Sequence, residues 1–124
     1  MKKIIDTDKA PGAIGPYSQA VEIKDTLYIS GQLPLYPKSM EMPESIEEQT
    51  EQVMKNIGAI LNDAGYDYSN VVKSTIYLAD INDFQIVNGI YGSYYPQNPP
   101  ARSAFQVANL PKGAKIEIET IAVK

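Results

Sequence analysis

The sequence predicts an α+β layer in which two helices cover one face of a mixed β-sheet, and three observations predict it. Residues 19–23 and 26–30 alternate apolar and polar side chains with period two. Apolar residues recur at helical spacing after Ser45 and after Asp83, and β-branched or alternating runs return at residues 71–78, 103–107 and 115–123. At 124 residues the chain reads as one domain, 1–124, with no internal repeat or linker. A chain of this size buries roughly two-thirds of the surface its unfolded form exposes.

Taken in order, the first two alternating runs meet at Lys24-Asp25, a tight turn, and form a β-hairpin. The outgoing strand runs into Ser30-Gly31-Gln32-Leu33-Pro34, where Gly31 lets the backbone bulge or approach a ligand and Pro34 forbids central pairing. Ser45 and Glu48 have the spacing of a capping box, and Glu47, Glu48 and Glu51 suit the positive end of a helix dipole. Ile46, Thr50, Val53, Met54, Ile57, Ile60, Leu61 and Ala64 then form one apolar stripe, stopped by Gly65.

Residues 71–78 read as a buried strand, and Asp80-Ile81-Asn82-Asp83 supplies caps for a second helix with Phe84, Val87, Tyr91 and Tyr94 on one face. That helix ends before Pro96. After Pro99-Pro100, strands are predicted at residues 103–107 and 115–123, separated by a turn around Pro111-Lys112-Gly113. On the last strand Ile116, Ile118 and Ala122 face one way, and Glu117, Glu119, Ile121 and Val123 the other. Such a half-apolar second face suits packing against another subunit, as do nine tyrosines against two phenylalanines.

Composition excludes most familiar catalytic machinery. The chain has no Cys, no His and no Trp, and its 11 basic residues include a single arginine, Arg102. Disulfides, thiolate nucleophiles, Ser-His-Asp triads and ordinary zinc sites are therefore absent. Chemistry must run on carboxylates, Lys, Tyr, Ser/Thr, backbone amides and water. A net charge of −4 offers no footprint for a phosphate backbone, so no nucleic-acid partner is expected. No apolar run approaches the roughly twenty residues that span a bilayer and no signal-peptide core follows Met1, so a cytoplasmic protein without a membrane partner is expected.

Arg102 follows Pro99-Pro100-Ala101 and opens a strand, a stiff setting for the side chain whose planar fork matches a carboxylate. It reads either as an anion clamp or as a surface arginine beside a turn. Glu117 and Glu119 share a face with Lys115 and read either as a solvated face or as a carboxylate aimed into a subunit cleft, able to orient and deprotonate water. The segment Gly12-Ala13-Ile14-Gly15-Pro16-Tyr17 has neither the GxGxxG spacing nor the Lys and Thr of a P-loop. It reads as an ordered loop delivering Tyr17, or as a simple connection.

The whole chain, from about residue 4 to 123, resembles the RidA/YjgF family of small enamine/imine deaminases. The resemblance is carried by Ala-Ile-Gly-Pro-Tyr-Ser-Gln-Ala at 13–20, Ile-Ser-Gly-Gln-Leu-Pro at 29–34 and Val-Val-Lys-Ser-Thr-Ile-Tyr-Leu at 71–78. Asp-Phe at 83–84, Val-Asn at 87–88, Pro-Ala-Arg-Ser at 100–103 and Ile-Glu-Ile-Glu at 116–119 complete it. Each is weak singly; in this order and spacing they are specific together.

The resemblance implies a chorismate-mutase-like subunit in a homotrimer with sites in the clefts between subunits. It implies hydrolysis of 2-iminopropanoate and 2-iminobutanoate, formed by tautomerisation of the enamines that pyridoxal-phosphate-dependent dehydratases release, to 2-keto acids and ammonia. By the same resemblance Arg102 grips the substrate carboxylate, Glu117 positions the attacking water, and Tyr17, Ser30, Gly31 and Asn88 bind in the same pocket. Hydrolysis of an electrophilic imine needs orientation, one water and proton transfer, and no metal or cofactor. Ala104 stands where many members carry cysteine, and the loop at residues 38–43 lacks an expected glycine. Two other readings are a non-catalytic 2-keto acid sensor using the same cleft and a ribonuclease or translation inhibitor, the latter opposed by negative charge, one Arg and no His.

Overall fold

The computed structural model describes residues 1–124. Its elements are strands β1 (Lys3–Ile5), β2 (Ala20–Ile23) and β3 (Thr26–Gln32), helix α1 (Ile46–Asp63), strand β4 (Val71–Leu78), helix α2 (Phe84–Ser93), and strands β5 (Ala101–Gln106) and β6 (Ile116–Val123). They form one mixed sheet in the order β1-β2-β3-β6-β4-β5, in which only β4 and β5 run parallel. The predicted α+β architecture, with two helices and a mixed sheet, is the observed one.

Local chemistry accounts for the helices. The Ser45 side chain accepts from the Glu48 N–H at 3.1 Å and donates to the Glu48 carboxylate at 3.0 Å, while Gly65 takes φ +83° just beyond the end of α1. Asp80 caps a single 3-10 turn at Ile81–Asp83 by accepting from the Asn82 N–H, and α2 starts directly from it. Both helices bury their apolar stripes on one face of the sheet, joining Val53, Met54, Ile57, Ile60 and Leu61 to Leu27, Ile76, Leu78, Ile116 and Ile118. No helix is long and apolar enough to cross a membrane.

Three features differ from the prediction or extend it. The N-terminus adds β1, antiparallel to β2 at the sheet edge; three residues are too few to show periodicity. Strand β5 starts at Ala101, so Arg102 lies inside a strand instead of opening one. And β6 inserts between β3 and β4, which leaves β5 on the outer edge of β4. The connection β4-α2-β5 is then a crossover between parallel neighbours, as parallel pairing requires. The face of the sheet opposite the helices carries Tyr28 (48% exposed), Phe105 (45%) and Val123 (41%).

Candidate active site

The outgoing strand of the hairpin supplies the first half of the site. Its pairing with β6 slips between Ile29 opposite Thr120 and Gln32 opposite Ile118, so Ser30 and Gly31 together stand opposite Glu119 alone. This is a β-bulge at the predicted Gly31. The bulge brings the Gly31 backbone against Glu117: a Cβ added there would lie 2.9 Å from Cδ of Glu117 and overlap its Oε2. Only glycine leaves room for the carboxylate.

Glu117 is half-buried, and burial pushes its carboxyl above the usual range, with Glu119 on the same face adding repulsion. Glu119 itself accepts from the Tyr77 hydroxyl at 2.5 Å, a bond that is the main reason the Tyr77 phenol is pushed up to about 12. The two glutamates are therefore unlike. Glu119 is exposed and bonded, whereas Glu117 is sequestered and free to take a proton.

Tyr17 is delivered by a loop that one buried glutamine holds in place. Gln19, 2% exposed, accepts from the Thr7 N–H at 2.7 Å and donates to the carbonyls of Thr7 at 3.0 Å and Pro11 at 2.8 Å. The Ser30 hydroxyl donates to the Ser18 carbonyl at 2.6 Å, and the Ser30 N–H to the Gln19 carbonyl at 2.9 Å, tying this loop to the bulge. Tyr17 and Gly31 line one cavity of about 360 Å³ with Leu33, Leu35, Met40 and Lys112. Met40 sits at φ 60°, a conformation glycine favours, in the loop where a glycine was expected.

Arg102 and Asn88 form the second half. Nη1 of Arg102 donates to Oδ1 of Asn88 at 2.8 Å, and Cζ lies over the rings of Phe84 and Tyr91, 5.3 Å from each centroid. The sequence placed Phe84 and Tyr91 on the apolar face of α2 and missed this contact. The only signal for it was the spacing 84, 88, 91, which puts all three on adjacent turns of one helix side.

These two halves do not meet within one chain. In the parallel β4/β5 register Arg102 stands beside Ser74, and Ala104 beside Ile76; Ser74 and Ile76 are buried under the helices. Glu117 stands beside Tyr77, whose neighbour on β5 is Phe105, with the two rings 5.5 Å apart. Arg102 thus projects to the helix side of the sheet edge and Glu117 to the open side. The structure sets Gly31 both against Glu117 and on the cavity that Tyr17 lines, ties Ser30 to the loop carrying Tyr17, and pairs Arg102 with Asn88 apart from them.

Residues 7–124 match the family described as endoribonuclease L-PSP. The chain is 54% identical over 125 residues to the human 2-iminobutanoate/2-iminopropanoate deaminase, covering 100% of this chain and 91% of the relative. Among solved structures it is similar to YyfA of the conserved Rid family from Yersinia pestis, with TM-score 0.97, 48% identity and 100% of both chains covered. It is also similar to TdcF of E. coli with bound serine, with TM-score 0.94, 41% identity and 98% of both chains covered.

Proposed function

The chain belongs to the endoribonuclease L-PSP (YjgF/RidA) family, and from that premise we propose that it is a 2-iminobutanoate/2-iminopropanoate deaminase. The observation that carries the chemistry is the half-buried Glu117 carboxylate seated on the Gly31 bulge with its proton affinity raised. A 2-imino acid presents a carboxylate beside an electrophilic C=N carbon. Arg102 binds the carboxylate through two parallel hydrogen bonds. Glu117 takes a proton from a water as its oxygen bonds to C2, giving a carbinolamine. Glu117 returns that proton to the nitrogen, which has taken the C=N electron pair; it then takes the carbinolamine hydroxyl proton and hands it to the departing nitrogen as the C–N bond breaks, so the C2–O bond becomes the ketone, ammonia leaves and Glu117 is ionised again.

Because Arg102 and Glu117 leave one chain from opposite faces of the sheet, this reading takes them from neighbouring subunits. The exposed Tyr28, Phe105 and Val123 of the open face, with the half-buried Tyr77 and Ile121, supply the contact surface for a homotrimer with three composite sites. Tyr17 and Ser30 join Gly31 in shaping the pocket, and Asn88 holds Arg102. The reading includes a chorismate-mutase-like fold, a single domain over residues 1–124, a cytoplasmic location, and neither a cofactor nor a nucleic-acid or membrane partner.

The test is release of 2-keto acid and ammonia from freshly generated 2-iminobutanoate by wild type, Arg102→Ala and Glu117→Ala. Losing a charge-assisted pair worth about 1.5–3 kcal/mol lowers kcat/KM by roughly ten- to a hundredfold in Arg102→Ala. A wild type that binds 2-oxobutanoate but does not speed hydrolysis would replace the enzyme with a sensor.

A further inference from the structure

We propose that Tyr91 is a positioning residue for Arg102, gripping the guanidinium against Phe84 so that its Nε and Nη2 edge is held ready for a planar carboxylate. The identity of that carboxylate rests on the deaminase reading; the grip does not.

Arg102 lies on an edge strand and is exposed, a setting in which a long side chain samples many rotamers. Its one hydrogen bond within the chain, Nη1 to Asn88 Oδ1 at 2.8 Å, fixes a point and leaves the guanidinium free to spin about it. Two ring faces, each 5.3 Å from Cζ, stop that rotation. The bond to Asn88 uses Nη1, so the Nε and Nη2 edge stays unbonded and presents the two parallel donors that a carboxylate needs.

Tyr91 can do this because it is buried and packed on both sides of the helix-sheet contact. It is 4% exposed, and its ring packs on Tyr95 with centroids 4.8 Å apart at 48°. Burial raises its phenol, keeping it neutral, while Ser74 and Arg102 oppose that shift. Its hydroxyl shares a buried cluster with those of Ser74 and Tyr95, none of which forms a hydrogen bond of ordinary geometry. Ser74 is also the residue beside Arg102 in the sheet. The strand that carries the arginine and the ring that grips it are therefore referenced to the same point.

The lone arginine makes the test direct, because a ¹⁵N-labelled sample has one arginine Nε–Hε signal. In wild type the ring currents move Hε away from its position in an unstructured chain. Tyr91→Leu returns it towards that position and weakens 2-oxobutanoate binding about three- to thirtyfold, the range of a cation–π contact. Tyr91→Phe, which keeps the ring, leaves both unchanged. In an Arg102→Ala background Tyr91→Leu weakens binding no further, which a merely structural role would not give. If Tyr91→Leu does not fold, Phe84→Leu, which removes the less buried ring, must shift Hε in the same direction. An unshifted wild-type Hε, or a folded ring-deleted variant with Hε and affinity unchanged, overturns the proposal. A shifted Hε in a protein that hydrolyses no imine sinks the deaminase reading and leaves the grip standing.

Discussion

Gly31 and Glu117 share one space: the carboxylate of one occupies the place where any other residue at position 31 would put its Cβ, 2.9 Å from Cδ. The clash in Gly31→Ala is with the far end of a flexible side chain, so the glutamate moves and the fold survives. The expected result is a fall in kcat/KM of about tenfold or more, equivalent to roughly 1.4 kcal/mol, with Tm shifted by a few degrees at most. A variant with full activity would show that the seat of the carboxylate does not matter.

The raised carboxyl of Glu117 has consequences of opposite sign for rate and stability. In the proposed reaction Glu117 is the base and must be ionised, so the acid limb of kcat/KM is expected above the ordinary glutamate range. Burial is the main cause and repulsion from Glu119 the second, so Glu119→Gln moves that limb to lower pH. A pH–rate profile of the two proteins checks the direction.

For stability, a folded-state pKa above the unfolded one favours the protonated protein. The contribution is complete below the unfolded pKa and is lost as pH rises through the folded value. At neutral pH the ionised Glu117 therefore opposes folding. Glu117→Gln should raise Tm at pH 7 more than at pH 4 while abolishing turnover, which thermal melts at the two pH values would detect.

Placing Arg102 and Glu117 on opposite faces of the sheet leads to a complementation experiment. Arg102→Ala and Glu117→Ala homo-oligomers are each inactive, but unfolded together and refolded at equal concentration they form mixed rings. In a cyclic trimer with composite sites, about a quarter of the sites combine an intact Arg102 with an intact Glu117 from its neighbour. Activity near that fraction of wild type is expected. No recovery in demonstrably mixed oligomers would return both residues to one chain.

Gln19 is a support with no chemistry of its own. Gln19→Ala leaves the Thr7 N–H and the Thr7 and Pro11 carbonyls without their partner, at a cost of about 1–3 kcal/mol. Urea unfolding should show this loss, and KM should rise because the start of the loop carrying Tyr17, at Thr7 and Pro11, is no longer pinned.

The hairpin, the two helices and the central strands were legible because each carries its signal locally: period two around Lys24-Asp25, the Ser45 cap, the β-branched run at residues 71–78. Strand β1 was not, since its stability comes from pairing with Glu22, Val21 and Ala20 and not from its own three residues. The site was legible as a set of residue types. Its partition was not, because nothing near Arg102 in the chain announces that Phe84, Asn88 and Tyr91 wait on a helix 11 to 18 positions earlier.

By itself the sequence determined the chemical vocabulary: without Cys or His, chemistry is left to carboxylates, Lys, Tyr, Ser/Thr, backbone amides and water, and the one planar guanidinium fork is that of Arg102. It also determined where the backbone bends, because Gly31 and Pro34 act through their own geometry. Only the tertiary structure decided which face each side chain takes. A strand's faces exchange with a one-residue slip in register, and the register of β6 is set by pairing with β3 and β4, distant in sequence. That pairing seats Glu117 over the bulge on the open face, and the parallel register of β5 on β4 leaves Arg102 beside α2 on the other.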